Sequence, residues 1–182
     1  MDYSKVIVVI ENNIKNLAES WKEEVKKAKF TKTYHSLEDD EIIRRALMVF
    51  EHLVNWLKTG ASNDEAERYF ENVGKDRLRQ GIPLSEINYA LYLDKKIFWN
   101  FIGDQKELMG NLNSSDTLEM MTLLSNYFDL GSFFLTQGYF YEFFRELDDG
   151  AVYSKDQLKD FLMKGIPEYK IIRPDEFVWR HI

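Results

Sequence analysis

Apolar residues recur every three to four positions along most of the chain, which is the spacing of one face of an α-helix. A first helix is predicted from Ser4 to about Ala28, where the stripe consists of Ile10, Ile14, Leu17, Trp21 and Val25. A second follows from about Ser36 to Gly60, and a third begins after Ser62 and ends at Gly81. No segment alternates with the period of two that is typical of strands, so the pattern predicts an all-α fold.

The segment from Arg77 to Trp99 contains a helix stop, a sharp turn and a helix start. Gly81 follows the third helical run, and glycine adopts the left-handed conformation at a helix C-terminus without a steric cost at Cβ. Pro83 cannot extend the old helix, but it fits the first turn of a new one. The sequence therefore predicts a fixed corner at Gly81 and Pro83, from which a fourth helix runs to about Met109.

Two charged residues fall on apolar stripes next to this corner. Asp94 lies in the middle of the fourth helix's stripe, and Arg77 lies on the stripe of the third helix. A carboxylate among apolar residues must be paired or lose its charge. Two interpretations follow: Arg77 and Asp94 form a structural ion pair across the corner, or they supply polar contacts to a small ligand inside the bundle.

The fifth predicted helix, from Thr117 to Leu147, carries aromatic residues around most of its circumference. A helix that is apolar on nearly all sides is buried on nearly all sides, so it is either the central helix of the domain or partly a subunit interface. Gly131 and Gly138 would let another helix approach closely. We expect a homodimer with Gly131, Phe134, Gly138 and Tyr141 as interface candidates.

The chain of 182 residues is long enough for one hydrophobic core. We expect a helical domain over residues 1–150, built from five main helices. Residues 151–182 are predicted to form a short helix, from Ser154 to about Lys164, and an extended tail whose apolar residues dock on the core.

Composition narrows the range of functions. The net charge is -7, with 24 basic and 31 acidic residues, and the basic residues are spread along the chain, which weighs against a nucleic-acid partner. The absence of cysteine excludes disulfides and thiolate metal sites and fits a reducing cytoplasm. No apolar run is long enough for a membrane span. We therefore expect a cytoplasmic protein that has no membrane association.

The sequence offers few residues for catalysis or metal binding. The three histidines are His35, His52 and His181, and none follows a glutamate by three residues as in helical di-iron proteins. The nucleophile elbow, the dinucleotide-binding glycine motif and the phosphate-binding loop are absent. We expect no enzymatic activity, no metal and no cofactor, with His52 as an exposed or half-buried side chain.

Over about residues 1–147 the sequence resembles the helical N-terminal sensory domain of RsbR and RsbRD type stressosome co-antagonists. The resemblance rests on Trp21, the link from Tyr34 to Leu37, Arg77, the segment Gln80 to Leu84, and Phe98 with Trp99. It implies a single globin-like or bundle-like helical domain, dimerisation, and a role in signal input and protein contact. A globin-like fold would hold no haem here, because no histidine lies between His52 and His181 to serve as the proximal ligand.

These co-antagonists carry a second, phosphorylatable domain, whereas this sequence ends at Ile182. We therefore expect a separate signalling protein as partner. The leading hypothesis is a sensory or regulatory interaction module of bacterial signalling that acts as a homodimer. The alternative is a small-molecule binding protein with an apolar, aromatic pocket between the third, fourth and fifth predicted helices.

Overall fold

The computed structural model describes residues 3–110, 112–148 and 154–163. Within these ranges the chain forms eight α-helices, a 3-10 turn at Lys32–Ser36 and no strand. The helices are α1 Ser4–Glu11, α2 Ile14–Lys27, α3 Asp39–Lys58, α4 Asn63–Arg79, α5 Leu84–Asp104, α6 Lys106–Gly110, α7 Ser114–Asp148 and α8 Lys155–Met163. The all-α fold class predicted from the sequence is confirmed. The third, fourth and fifth predicted helices correspond to α4, α5 and α7.

Two predicted helices are interrupted, and there the prediction was wrong. The first breaks between Glu11 and Ile14, where the Asn13 side chain donates a hydrogen bond to the carbonyl oxygen of Val9 at 2.9 Å. Asparagine competes with the helical backbone through such local bonds. The fourth breaks at Gln105, whose ψ of 72° lies outside the helical region.

The corner between α4 and α5 is a Schellman motif. The N–H of Gly81 donates to the carbonyl of Leu78 at 2.7 Å, and the N–H of Ile82 donates to the carbonyl of Arg77 at 3.0 Å. Gly81 has a φ of +70°, which lies in the left-handed region that favours glycine. Pro83 is the N-cap of α5, with φ -60° and ψ 140°. These bonds fix the position of the last turn of α4 relative to the start of α5.

Helices α4 and α7 are in direct backbone contact. A Cβ atom added at Gly138 would lie 2.5 Å from the Cα of Glu71, and one added at Gly74 would lie 2.7 Å from the backbone nitrogen of Tyr139. A Cβ at Gly131 would lie 2.7 Å from the ring of Phe70. The close approach expected at Gly131 and Gly138 therefore occurs, but the approaching helix is α4 of the same chain.

Helix α7 is covered by the rest of the chain on one side and exposed on the other, so the alternative of a partial subunit interface stays open. One side of the helix contributes Tyr127, Phe128 and Tyr139 to the core, each at most 2% exposed. The other side leaves Phe133 and Phe144 exposed. The aromatic residues of α7 thus divide between an inward and an outward face.

The C-terminal residues are described in part. Helix α8 packs against α5, and Leu158 and Leu162 lie against the core. The tail predicted to dock on the domain lies outside the described residues.

Candidate functional site

A cavity of about 30 Å³ lies where α2, the 3-10 turn, α3, α4, α5 and α7 meet. This volume holds about two water molecules. Most of its wall is apolar, but four lining residues carry polar side chains: Tyr34, Arg45, Arg77 and Asp94. The two charged residues singled out from the sequence, Arg77 and Asp94, therefore face the same small space.

Asp94 is a buried carboxyl group without a counter-charge. The residue is 3% exposed, and its Oδ1 atom has no hydrogen-bond partner. Burial raises the pKa of Asp94 well above its ordinary value, because the ionised form loses its hydration. The neutral, protonated form is thereby favoured.

The other two buried carboxylates among the described residues, Glu86 and Glu142, are hydrogen-bonded, which sets Asp94 apart. Glu86, at 1% exposed, accepts hydrogen bonds from the N–H of Thr33 at 2.8 Å and from its hydroxyl at 3.1 Å. Glu142 accepts two hydrogen bonds from Arg79, at 2.8 and 3.1 Å. An unsatisfied buried polar group costs about 1–3 kcal/mol, so its retention calls for an explanation.

The structural ion pair considered for Arg77 and Asp94 does not form. The Arg77 guanidinium instead donates to Oε1 of Gln80 at 3.2 Å. Burial, and then the positive charge of Arg45, lower the pKa of Arg77. Because Gln80 is neutral, the charge of Arg77 has no carboxylate partner within the described part of the chain.

Arg45 is a site residue that sequence reasoning missed. It is 6% exposed, and it donates to Glu41 at 2.8 Å and to the same Gln80 oxygen at 2.9 Å. Its Nη1 atom is buried and has no acceptor. The signal was present in the sequence, since Arg45 follows Ile42 by three residues and so falls on the apolar stripe of its helix.

A group of stacked rings adjoins the cavity. The His52 ring lies parallel to that of Tyr69 with 3.7 Å between their centroids, and His52 Nδ1 lies 2.9 Å from the Tyr127 hydroxyl. Because that hydroxyl donates its proton to the carbonyl oxygen of Val49 at 2.9 Å, it accepts the hydrogen bond from His52. The single proton of the neutral His52 ring is therefore assigned to Nδ1. Burial lowers the pKa of His52, which favours the neutral ring. His52 is half-buried and engaged in packing.

Buried polar atoms without a partner are concentrated in this region. Among the described residues they are Arg45 Nη1, Tyr69 OH and Asp94 Oδ1. Arg45 and Asp94 line the cavity. Tyr69 is not part of the lining, but its ring lies against that of the lining residue Phe70, with 4.9 Å between their centroids, and burial raises the pKa of its hydroxyl. The arrangement can hold a small polar species by hydrogen bonds.

The interface candidates occupy three different environments. Gly131 and Gly138 face α4, as described above, and Phe134 is partly buried against the core. Tyr141 is 52% exposed on the outward side of α7. Of the four candidates, Tyr141 is thus the one that another subunit could reach without rearrangement.

The described ranges contain neither a candidate metal site nor a candidate membrane span. No group of three or more histidine, cysteine, aspartate or glutamate side chains there could hold a metal ion. None of the helices in these ranges combines the length and the hydrophobicity of a membrane span.

Comparison with known proteins identifies the family. The pattern of the RsbT co-antagonist protein rsbRD N-terminal domain matches residues 16–143. No curated protein and no solved structure matches the chain. The matched range holds α2 to α7 almost entirely, with Arg45, Arg77 and Asp94. The chain therefore belongs to the family of RsbRD N-terminal domains, a family of stressosome-type signalling.

Proposed function

We propose that the protein is a non-catalytic sensory or regulatory module of bacterial signalling, which acts in the cytoplasm as a homodimer and contacts a separate signalling protein. The family match supports the signalling role, because its members are described as co-antagonists, proteins that act on other proteins. The cysteine-free composition fits the cytoplasm.

The outward face of α7 is the observation that carries the homodimer. Phe133, Gln137, Phe140, Tyr141 and Phe144 follow one another at helical spacing, and we call them the α7 strip. Phe133, Tyr141 and Phe144 are 61, 52 and 56% exposed. Monomeric proteins rarely leave a contiguous aromatic surface of this kind in water.

A second copy of the chain is the occupant that fits the α7 strip best. A two-fold interface pairs the same surface of both subunits, so an apolar strip on one helix can pack against itself. The strip contains no charged side chain among its five members, so self-pairing brings no like charges together.

Sedimentation velocity of the wild-type protein at micromolar concentration tests the homodimer. We expect a dimer, and we expect Phe144→Asp to shift it to monomer, because each interface would then bury two carboxylates. Tyr92→Asp is the matched control, since Tyr92 is an aromatic residue of similar exposure, 54%, on a different helix, α5. A wild-type monomer, or equal behaviour of the two variants, would refute the proposal.

A second candidate function is the binding of a small molecule. The aromatic pocket envisaged between α4, α5 and α7 is largely occupied by the protein itself, since Phe70, Tyr127 and Phe128 are packed there and each is at most 2% exposed. The polar cavity at Asp94 favours a much smaller ligand.

A further inference from the structure

The cavity at Asp94 carries more positive than negative charge. Arg45 and Arg77 line it, and the carboxylate of Glu41 bonds with Arg45 at 2.8 Å. Glu41 also accepts hydrogen bonds from Arg44 at 2.6 and 2.9 Å, so one carboxylate serves two guanidinium groups. Arg77 is bonded to a neutral amide. Three guanidinium groups therefore share one carboxylate, and a bound anion would reduce this excess of positive charge.

Hydrogen-bond donors near the cavity also lack acceptors. A guanidinium nitrogen can only donate, so the buried Nη1 of Arg45 requires an acceptor. The hydroxyl of Tyr69, likewise buried and unpaired, can donate as well. A protonated Asp94 would add a third donor. These groups suit an anion better than a cation or an apolar molecule.

The size of the cavity limits the anion. A volume of about 30 Å³ matches about two water molecules, which admits a chloride or formate ion and excludes benzoate, gluconate and sulfate. Arg77 is half-buried and donates to the exposed Gln80 near the end of α4, so one of the lining side chains is in contact with solvent.

We propose that this cavity binds a compact monovalent anion of chloride or formate size, held by Arg45 and Arg77 and hydrogen-bonded by the carboxyl group of Asp94. If the protein is the sensory module proposed above, a small anion of this class would be its ligand. Only this biological meaning rests on the proposed function. Binding itself is independent of whether the chain dimerises.

The first test is thermal melting. The melting temperature is measured in chloride-free buffer and then with sodium chloride, sodium formate or sodium gluconate at equal ionic strength. We expect the melting temperature to rise with chloride and formate and to change less with gluconate, because ligands that bind only the folded state stabilise it. An equal response to the three salts would indicate a general salt effect and would overturn the proposal.

Chloride-35 NMR measures the binding directly, through broadening of the chloride signal by the protein. We expect Arg77→Gln to weaken chloride binding at least tenfold. Arg68→Gln, which removes an equal charge from an exposed position on the same helix, should bind as the wild type does. Loss of binding in both variants, or in neither, would contradict an Arg77 site.

Two further results keep the test decisive. Arg77→Lys keeps the positive charge and should bind chloride more tightly than Arg77→Gln, so the outcome does not depend on Arg77→Gln folding normally. An absence of selective anion response in the wild type overturns the site whatever the variants do. A monomer that binds chloride would refute the homodimer and leave the site standing, and a dimer without the anion response would refute the site alone.

Discussion

Replacing Asp94 by asparagine should change how the stability of the protein depends on pH. The buried carboxyl has no counter-charge bonded to it, and burial raises its pKa well above the ordinary value of 3.8. Asparagine has nearly the same shape, is always neutral and can still form hydrogen bonds. The variant therefore removes the ionisation and leaves the packing largely intact.

The sign of the effect follows from proton linkage. Between 3.8 and the raised pKa of folded Asp94, the folded chain retains a proton that the unfolded chain has released. The free energy of unfolding then falls as pH rises, by up to about 1.4 kcal/mol per pH unit for one proton. The contribution is fully present below the unfolded pKa and is lost as pH rises to the folded one. Asp94→Asn lacks this slope.

Urea titrations of both proteins at about pH 5, 6, 7 and 8, followed by tryptophan fluorescence at constant chloride, give the comparison. The difference between variant and wild type cancels the other titrating groups, which are common to both. Two arginines and three tyrosines line the cavity with Asp94 or interact with it electrostatically. They are Tyr34, Arg45, Tyr69, Arg77 and Tyr127. None of the five ordinarily titrates between pH 5 and 8.

We expect Asp94→Asn to gain stability relative to the wild type as pH increases through this window. Parallel pH profiles for the two proteins would show that folding does not raise the pKa of Asp94 and would contradict the prediction. A wild type that gains stability relative to the variant with increasing pH would refute the reasoning outright, since it would require a lowered pKa.

Two further predictions concern glycine. Gly138→Ala should reduce the free energy of unfolding by about 1–3 kcal/mol, because the new methyl group meets the backbone of α4. The control Gly103→Ala should leave the free energy of unfolding nearly unchanged, because nothing lies within 4 Å of its Cβ position. Equal urea midpoints for the two variants would argue against the close contact. Gly81→Val should cost at least about 1–2 kcal/mol, since a β-branched residue is strained at a φ of +70°. An unchanged melting temperature for Gly81→Val would mean that the end of α4 does not depend on this conformation.

The helices could be predicted from the sequence because their apolar stripes are long and regular. The breaks at Asn13 and Gln105 could not, since the stripe continues through both positions and the interruption depends on local conformation and side-chain bonds to the backbone. For α7 the sequence left two alternatives open, a central helix or a partial subunit interface. Aromatic residues all around a helix show that every side is apolar, but they do not show which sides the rest of the chain covers.

Some residues of the candidate site could be predicted from the sequence and others could not. Asp94 and Arg77 were recognisable as charged residues on apolar stripes, but their separation across the corner depends on how α4 and α5 cross, which no spacing encodes. Arg45 carried the same signal on α3 and was overlooked. Tyr69 gave no signal, because a tyrosine at a half-buried position is ordinary and its unpaired hydroxyl becomes apparent only in three dimensions.

The backbone contact between α4 and α7 has a mechanical consequence. Where helices meet through long side chains, changes of rotamer absorb small displacements, but at Gly74 and Gly138 there is no side chain to yield. Arg77 lies one turn beyond Gly74 on α4, and Phe144 lies less than two turns beyond Gly138 on α7. A displacement of α4 at these two contacts would therefore move the backbone of α7 directly, because no side chain lies between them to change its rotamer.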